Sequence, residues 1–190
     1  MKLRIEKRRE HAMKFFTPEL YLQFNSTDKE TADRADQVWE KAIKDYHSHL
    51  DTLRAEMPAG VKEFAEKLCL HDADFIGFQE EVHEPRHAFY SPVTPVAILS
   101  LKHADELVVL VYALWDKTRH SHRPKGWPFS DQQPHWLYDE IDLDKSFPRL
   151  FWHRILLSDG KVIQIPLLDV FIHRVEFQAA KATGIARKGA

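Results

Sequence analysis

The sequence predicts an α+β fold in which an N-terminal helical hairpin packs on an antiparallel sheet, a β-meander of five to six strands. Three observations predict it. Apolar residues recur at helical spacing as far as about residue 68, the period changes to two from Cys69 onward, and Ser158-Asp159-Gly160-Lys161 lies between two apolar runs as a hairpin signal. Helices gathered before a run of hairpin-linked strands give segregated layers, whereas a parallel sheet would need strands and helices to alternate. A chain of 190 residues is long enough to bury roughly 70% of its unfolded surface around one core. One domain is therefore expected over residues 13–177, with basic tails at 1–12 and 178–190.

The elements follow in order. Thr17-Pro18-Glu19 offers an N-cap followed by proline at the first helical position, which predicts a short helix over Pro18 to Phe24. Thr27 with Glu30 spells a capping box. Ala35, Val38, Trp39, Ala42, Ile43, Tyr46, Leu50 and Leu53 then form the core-facing stripe of a longer helix. Pro58-Ala59-Gly60 stops it, and Val61, Phe64, Ala65 and Leu68 mark a second, shorter one. Strands are expected at Leu70 to Gln79, Pro95 to Lys102, Glu106 to Trp115, Trp136 to Leu143, Leu150 to Leu157, and Val162 to Phe177 with an interruption at Pro166. The run Leu107 to Leu114 has only Tyr112 as a polar residue, which predicts a central strand covered on both faces. Asp159-Gly160 predicts a type I′ turn. Lys117 to His135 is left as a long irregular segment, the kind that carries function or disorder.

Charge and cysteine narrow the class. Residues 1–12 hold five basic and two acidic side chains, and the last ten hold three basic ones. What remains is 19 basic against 27 acidic residues. An acidic body cannot neutralise phosphates, so no nucleic-acid partner is expected. No apolar run approaches the ~18 residues of a spanning helix and no signal peptide is read, so no membrane is expected and a cytoplasmic location is. Cys69 is alone and flanked by Leu68 and Leu70, which predicts a buried, inert thiol in a reducing compartment.

Twelve histidines demand a chemical reading. His83-Glu84-Pro85-Arg86-His87 spells the zinc-protease pattern His-Glu-x-x-His, but that site needs a helix to bring both imidazoles to one face, and Pro85 would break it. The segment reads as a polar connection between strands. His120 and His122 bracket one serine, so on an extended segment both rings point to one side and offer two ligands to a metal. Arg119, Arg123 and Lys125 interleave with them and repel a cation, so no metal or cofactor is assigned. His71, in Leu70-His71-Asp72-Ala73-Asp74, becomes an acid–base candidate only with a carboxylate from another strand, for example Asp139 or Glu140. His153 and His173 read as satisfied polar residues of the sheet. Alternation places Trp136, Tyr138, Glu140 and Asp142 on one face of their strand, an aromatic and acidic mixture suited to protein contact, with Trp127 in the long segment as a further apolar contact. Scattered glycines form no phosphate loop, and no Gly-x-Ser-x-Gly elbow occurs.

Met13-Lys-Phe-Phe-Thr-Pro-Glu-Leu, Leu70-His-Asp-Ala, Trp136-Leu-Tyr-Asp-Glu-Ile and Ile155-Leu-Leu-Ser-Asp-Gly together resemble an uncharacterised bacterial family over about residues 13–177. The resemblance implies a layout of helical hairpin plus meander and no catalytic residues. Immunity proteins of bacterial toxin systems offer a fold-level analogy. The sequence reading is thus a non-catalytic protein-interaction module that masks a basic partner through Glu140 and Asp142, anchored by Trp136 and Tyr138 and helped by the 117–135 loop. The alternative is a metal-dependent hydrolase using His120, His122 and a carboxylate.

Overall fold

The computed structural model describes residues 13–81, 94–129 and 133–177. Three helices come first: α1 (Pro18–Phe24), α2 (Lys29–Leu53) and α3 (Ala59–Lys67). Seven strands follow: β1 (Asp74–Glu81), β2 (Val96–His103), β3 (Glu106–Leu114), β4 (Arg119–His120), β5 (Trp136–Leu143), β6 (Phe151–Leu157) and β7 (Val162–Glu176). The α+β class is as expected, with helices packed on an antiparallel sheet. The sheet runs β1-β2-β3-β7-β6-β5, with the two-residue β4 paired to β7. Two three-stranded meanders are thus joined where β7 lies against β3, from Glu106↔Glu176 to Leu114↔Leu167.

The sheet curls until its ends meet. Trp136 donates its amide to the Ala73 carbonyl and Asp72 donates to the Trp136 carbonyl, both at 2.9 Å, while Asp74 and His135 form a bridge. The inside of this curl holds the larger core, with Leu99, Leu101, Val108, Leu110, Tyr112, Phe151, Ile155 and Ile165 at zero exposure, and α3 inserts Val61 and Phe64 into it. Gly60 lets α3 approach β7, since a Cβ there would lie 1.7 Å from the Val170 carbonyl oxygen. A second core lies on the outside of β5, β6 and the start of β7. There Phe16, Leu20, Trp39, Ala42 and Tyr46 cover Leu137, Leu156 and Val162.

Several local expectations change. Asp28 caps α2 by accepting from the Thr31 amide at 2.9 Å, and the Thr27/Glu30 box is not used. Val38 is 53% exposed, outside the apolar stripe. Pro166 does not interrupt β7, because its carbonyl still accepts from the Trp115 amide at 3.0 Å and only the missing N–H is lost. Only Gly160 in the Asp159-Gly160 turn has positive φ, at +81°. The Gly160 amide donates to Leu157 O and the Leu157 amide to Lys161 O, a type I turn with a bulged glycine in place of type I′. Finally, β3 is covered on one face only: Val108, Leu110, Tyr112 and Leu114 are buried, and the alternate residues are half-exposed. Among the described residues no helix is long and apolar enough to cross a membrane. The His83–His87 motif lies outside the described residues.

Candidate functional site: a cleft at the edge of β5

The acidic strand does not present one open face. A register shift between Trp136 and Tyr138 turns Trp136 into the inner core, at 1% exposure, while Tyr138, Glu140 and Asp142 point outward toward the helices. The shift corrects the expectation that all four share a face, because one extra residue in a strand reverses the alternation beyond it.

On the outer face the acids are already engaged. Glu140, 1% exposed, accepts the backbone amides of Lys14, Phe15 and Phe16 at 2.7, 2.6 and 2.7 Å. Burial pushes its carboxyl up, although those three amides and the Arg154 charge oppose the rise. Asp142 takes the Lys14 ammonium, His49 Nε2 at 3.1 Å and the Arg154 guanidinium at 3.5 Å. Burial would raise its carboxyl too, but the Lys14 hydrogen bond and charge, with Arg154 and His49, hold it below the usual value. Tyr138 packs edge-on against Trp39, ring centroids 4.4 Å apart, and lies over Phe16 at 5.5 Å. The groups expected to mask a basic partner therefore secure the chain's own N-terminal segment.

On the inner side, four residues from three strands form one hydrogen-bonded line. Tyr112 on β3 contacts His153 Nδ1 on β6 at 3.0 Å, His153 Nε2 contacts Asp139 Oδ2 on β5 at 3.2 Å, and Trp136 Nε1 donates to Asp139 Oδ1 at 3.1 Å. Burial and the Asp139 charge push the Tyr112 phenol well above its ordinary value, so it stays protonated. Its hydroxyl is fully buried, and His153 Nδ1 is the one acceptor in contact with it among the described residues. With the Tyr112 hydroxyl donating to Nδ1, the ring carries its hydrogen on Nε2 and donates it to Asp139. The line ends on a carboxylate that accepts from an indole N–H and from the imidazole.

Asp139 is 24% exposed where His153 is 2%, because it opens onto a cleft of about 380 Å³ between α2, α3 and the edge of β5. Tyr46, Leu50, Phe64, Leu68, Trp136 and Tyr138 supply most of the apolar lining, and His47, Cys69 and His71 also face it. Tyr46 closes the strand edge beside the cleft, its hydroxyl accepting the Ile141 amide at 2.8 Å. An edge strand with its amide capped by a side chain is a poor template for another strand. The cleft can take a compact ligand with apolar flanks. No Lys or Arg pairs with Asp139 among the described residues.

The remaining sequence candidates are distributed as follows. His71 and Asp139 share the cleft, as the acid–base reading required. His71 Nδ1 contacts Asp72 at 2.9 Å, however, and its ring meets Tyr138, centroids 5.0 Å apart. Cys69 is exposed, not buried, because Leu68 and Leu70 on either side take the inward positions. His120 packs edge-on against Phe78 and contacts the Thr118 hydroxyl at 3.2 Å, and burial lowers its pKa. His122 is exposed. No group of three or more His, Cys, Asp and Glu positioned to hold a metal occurs among the described residues. Trp127 is 5% exposed, donates to Ser158 O at 2.9 Å, and stacks on Tyr21. Gly160 makes room for it, since a Cβ there would lie 2.5 Å from the indole.

Sequence reasoning missed Tyr112 and His153 as partners of Asp139. Each stands in the sequence as a polar residue within an apolar strand, but the pairing needs the β3-β7-β6 order, which no local pattern encodes. No protein-family model matches the chain, and no curated protein matches it, so the likeness to an uncharacterised bacterial family rests on its short motifs.

Proposed function

We propose that this protein is a non-catalytic interaction module that receives a cationic side chain of a basic partner protein in the cleft at the edge of β5. One observation carries the reading: the Asp139 carboxyl group meets an indole N–H and an imidazole nitrogen, opens to an apolar cleft, and has no Lys or Arg paired to it among the described residues. A half-buried carboxylate with no Lys or Arg beside it is costly, and a cation entering the cleft lowers that cost. The acidic balance of residues 13–180, 19 basic to 27 acidic, favours approach of a basic surface. Trp136 and Tyr138 keep the anchoring part given them by the sequence, as walls of the cleft. Glu140 and Asp142 act indirectly, by fixing the segment that carries Phe16.

The test uses n-butylammonium as a lysine side-chain probe, followed through the Trp136 indole N–H resonance. A saturable shift is expected at a Kd of about 1 mM, the ~4 kcal/mol range suited to so small a ligand. Neutral n-butanol and the Asp139→Asn variant should give none. An unmoved Trp136 signal, or an equal response in Asp139→Asn, overturns the reading.

A further inference from the structure

We infer that the cleft selects arginine over lysine, an inference that rests on the cationic reading of the site and adds a specificity to it. A carboxylate offers about four lone-pair positions, two on each oxygen. Trp136 Nε1–H occupies one on Oδ1 and His153 Nε2–H one on Oδ2. One acceptor position is left on each oxygen, and an acceptor on each oxygen is what the parallel N–H donors of a guanidinium require. An ammonium is a point charge that needs only one of them.

The surroundings favour the same group. Two donors pin Asp139 from separate elements, Trp136 from its own strand and His153 from β6, and Tyr112 fixes the His153 tautomer from β3. The carboxylate is thus held in one orientation before a ligand arrives, so a bidentate pair loses little freedom on forming. Phe64, Trp136 and Tyr138 line the approach. A planar, weakly hydrated guanidinium stacks on such rings and gives up less hydration on entering an apolar cleft than an ammonium does. A volume of about 380 Å³ lies near the lower end of the ~300–1,000 Å³ of ligand sites, enough for one long side chain.

The experiment titrates the full chain with n-butylguanidinium and, separately, n-butylammonium, reading the Trp136 indole N–H. Guanidinium is expected to bind about tenfold tighter, which corresponds to ~1.4 kcal/mol. The preference should vanish in Asp139→Asn. Leu68→Trp, which fills the cleft and leaves the hydrogen-bonded line untouched, should lose both probes. Equal affinities for the two cations overturn the arginine inference and leave the cationic reading standing. Failure of both probes overturns both, and a guanidinium preference that survives Asp139→Asn overturns the role given to the carboxylate fork.

Discussion

Strand β5 carries carboxylates to both sides of the curled sheet, and the two sides use them differently. On the outer side, Glu140 accepts three consecutive amides and Asp142 meets Lys14, His49 and Arg154. On the inner side, among the described residues, Asp139 meets only an indole N–H and an imidazole, and it faces a cleft. Residues one position apart thus divide into charge that holds the fold and charge left open for something else. Acidic character alone does not identify a contact surface. What matters is which acids the chain itself has already matched.

The sharpest way to break this comparison is Glu140→Ala. It removes the acceptor of three amides and the counter-charge beside Arg154, and each orphaned buried donor costs ~1–3 kcal/mol. Residues 13–16 can release into water instead, giving up the burial of Met13 and Phe16, so a loss of about 3 kcal/mol is expected in urea unfolding. A loss below ~1 kcal/mol would mean that Glu140 does not hold the segment, and the outer acids would again be available to a partner.

Asp142 gives the next largest effect, and it carries a pH signature. Its carboxyl lies below the ordinary 3.8 in the folded state. The stability it contributes is therefore fully present above that value and is lost as the pH falls through the lower folded one. Glu140 has the opposite sign, because burial raises its carboxyl, so its ionisation in the fold weakens stability as the pH rises above 4.5. Asp142→Asn should cost about 2 kcal/mol near neutrality, since Lys14 and the buried Arg154 lose a counter-charge. It should also flatten the fall in stability below about pH 4 that denaturant midpoints reveal in the parent protein. An unchanged acid limb would show that Asp142 is not the group whose protonation loosens the outer face.

Much of this arrangement was legible in the chain. Helix α1, strand β5 and the start of β7 fall where caps and alternation put them, because those signals are local: Thr17 accepts from the Leu20 amide at 3.1 Å as its position before Pro18 requires. The faces of β5 were not legible. One extra residue at Trp136 to Tyr138 reverses the pattern, and nothing in Trp136-Leu137-Tyr138 announces it. Nor was the occupation of Glu140, whose partners lie 124 to 126 residues away in sequence. Asp139 and His71 were read as a possible pair from two short motifs, and they do share one cleft. The aromatic walls of that cleft come from α2, α3 and β5 together, so its existence depends on packing that no single segment encodes.

The smallest effect on stability, and the one that most sharpens the contrast, belongs to Asp139→Asn. An amide can still accept the Trp136 N–H, and its NH₂ can donate to His153 Nε2 if that ring moves its hydrogen to Nδ1 and donates to the Tyr112 oxygen. That rearrangement keeps three hydrogen bonds and leaves one Tyr112 hydroxyl hydrogen unmatched, a cost of ~1–3 kcal/mol. Against it stands the removal of a carboxylate with no Lys or Arg paired to it among the described residues, a gain of similar size. The two nearly cancel, so thermal or urea unfolding should change by less than about 1 kcal/mol, against about 2 for the isosteric change at Asp142. Nitrogen-detected NMR of His153 should report the ring hydrogen moving from Nε2 to Nδ1. If Asp139→Asn instead destabilises as much as Asp142→Asn, the inner carboxylate holds the fold as the outer ones do, and the division of labour across β5 disappears.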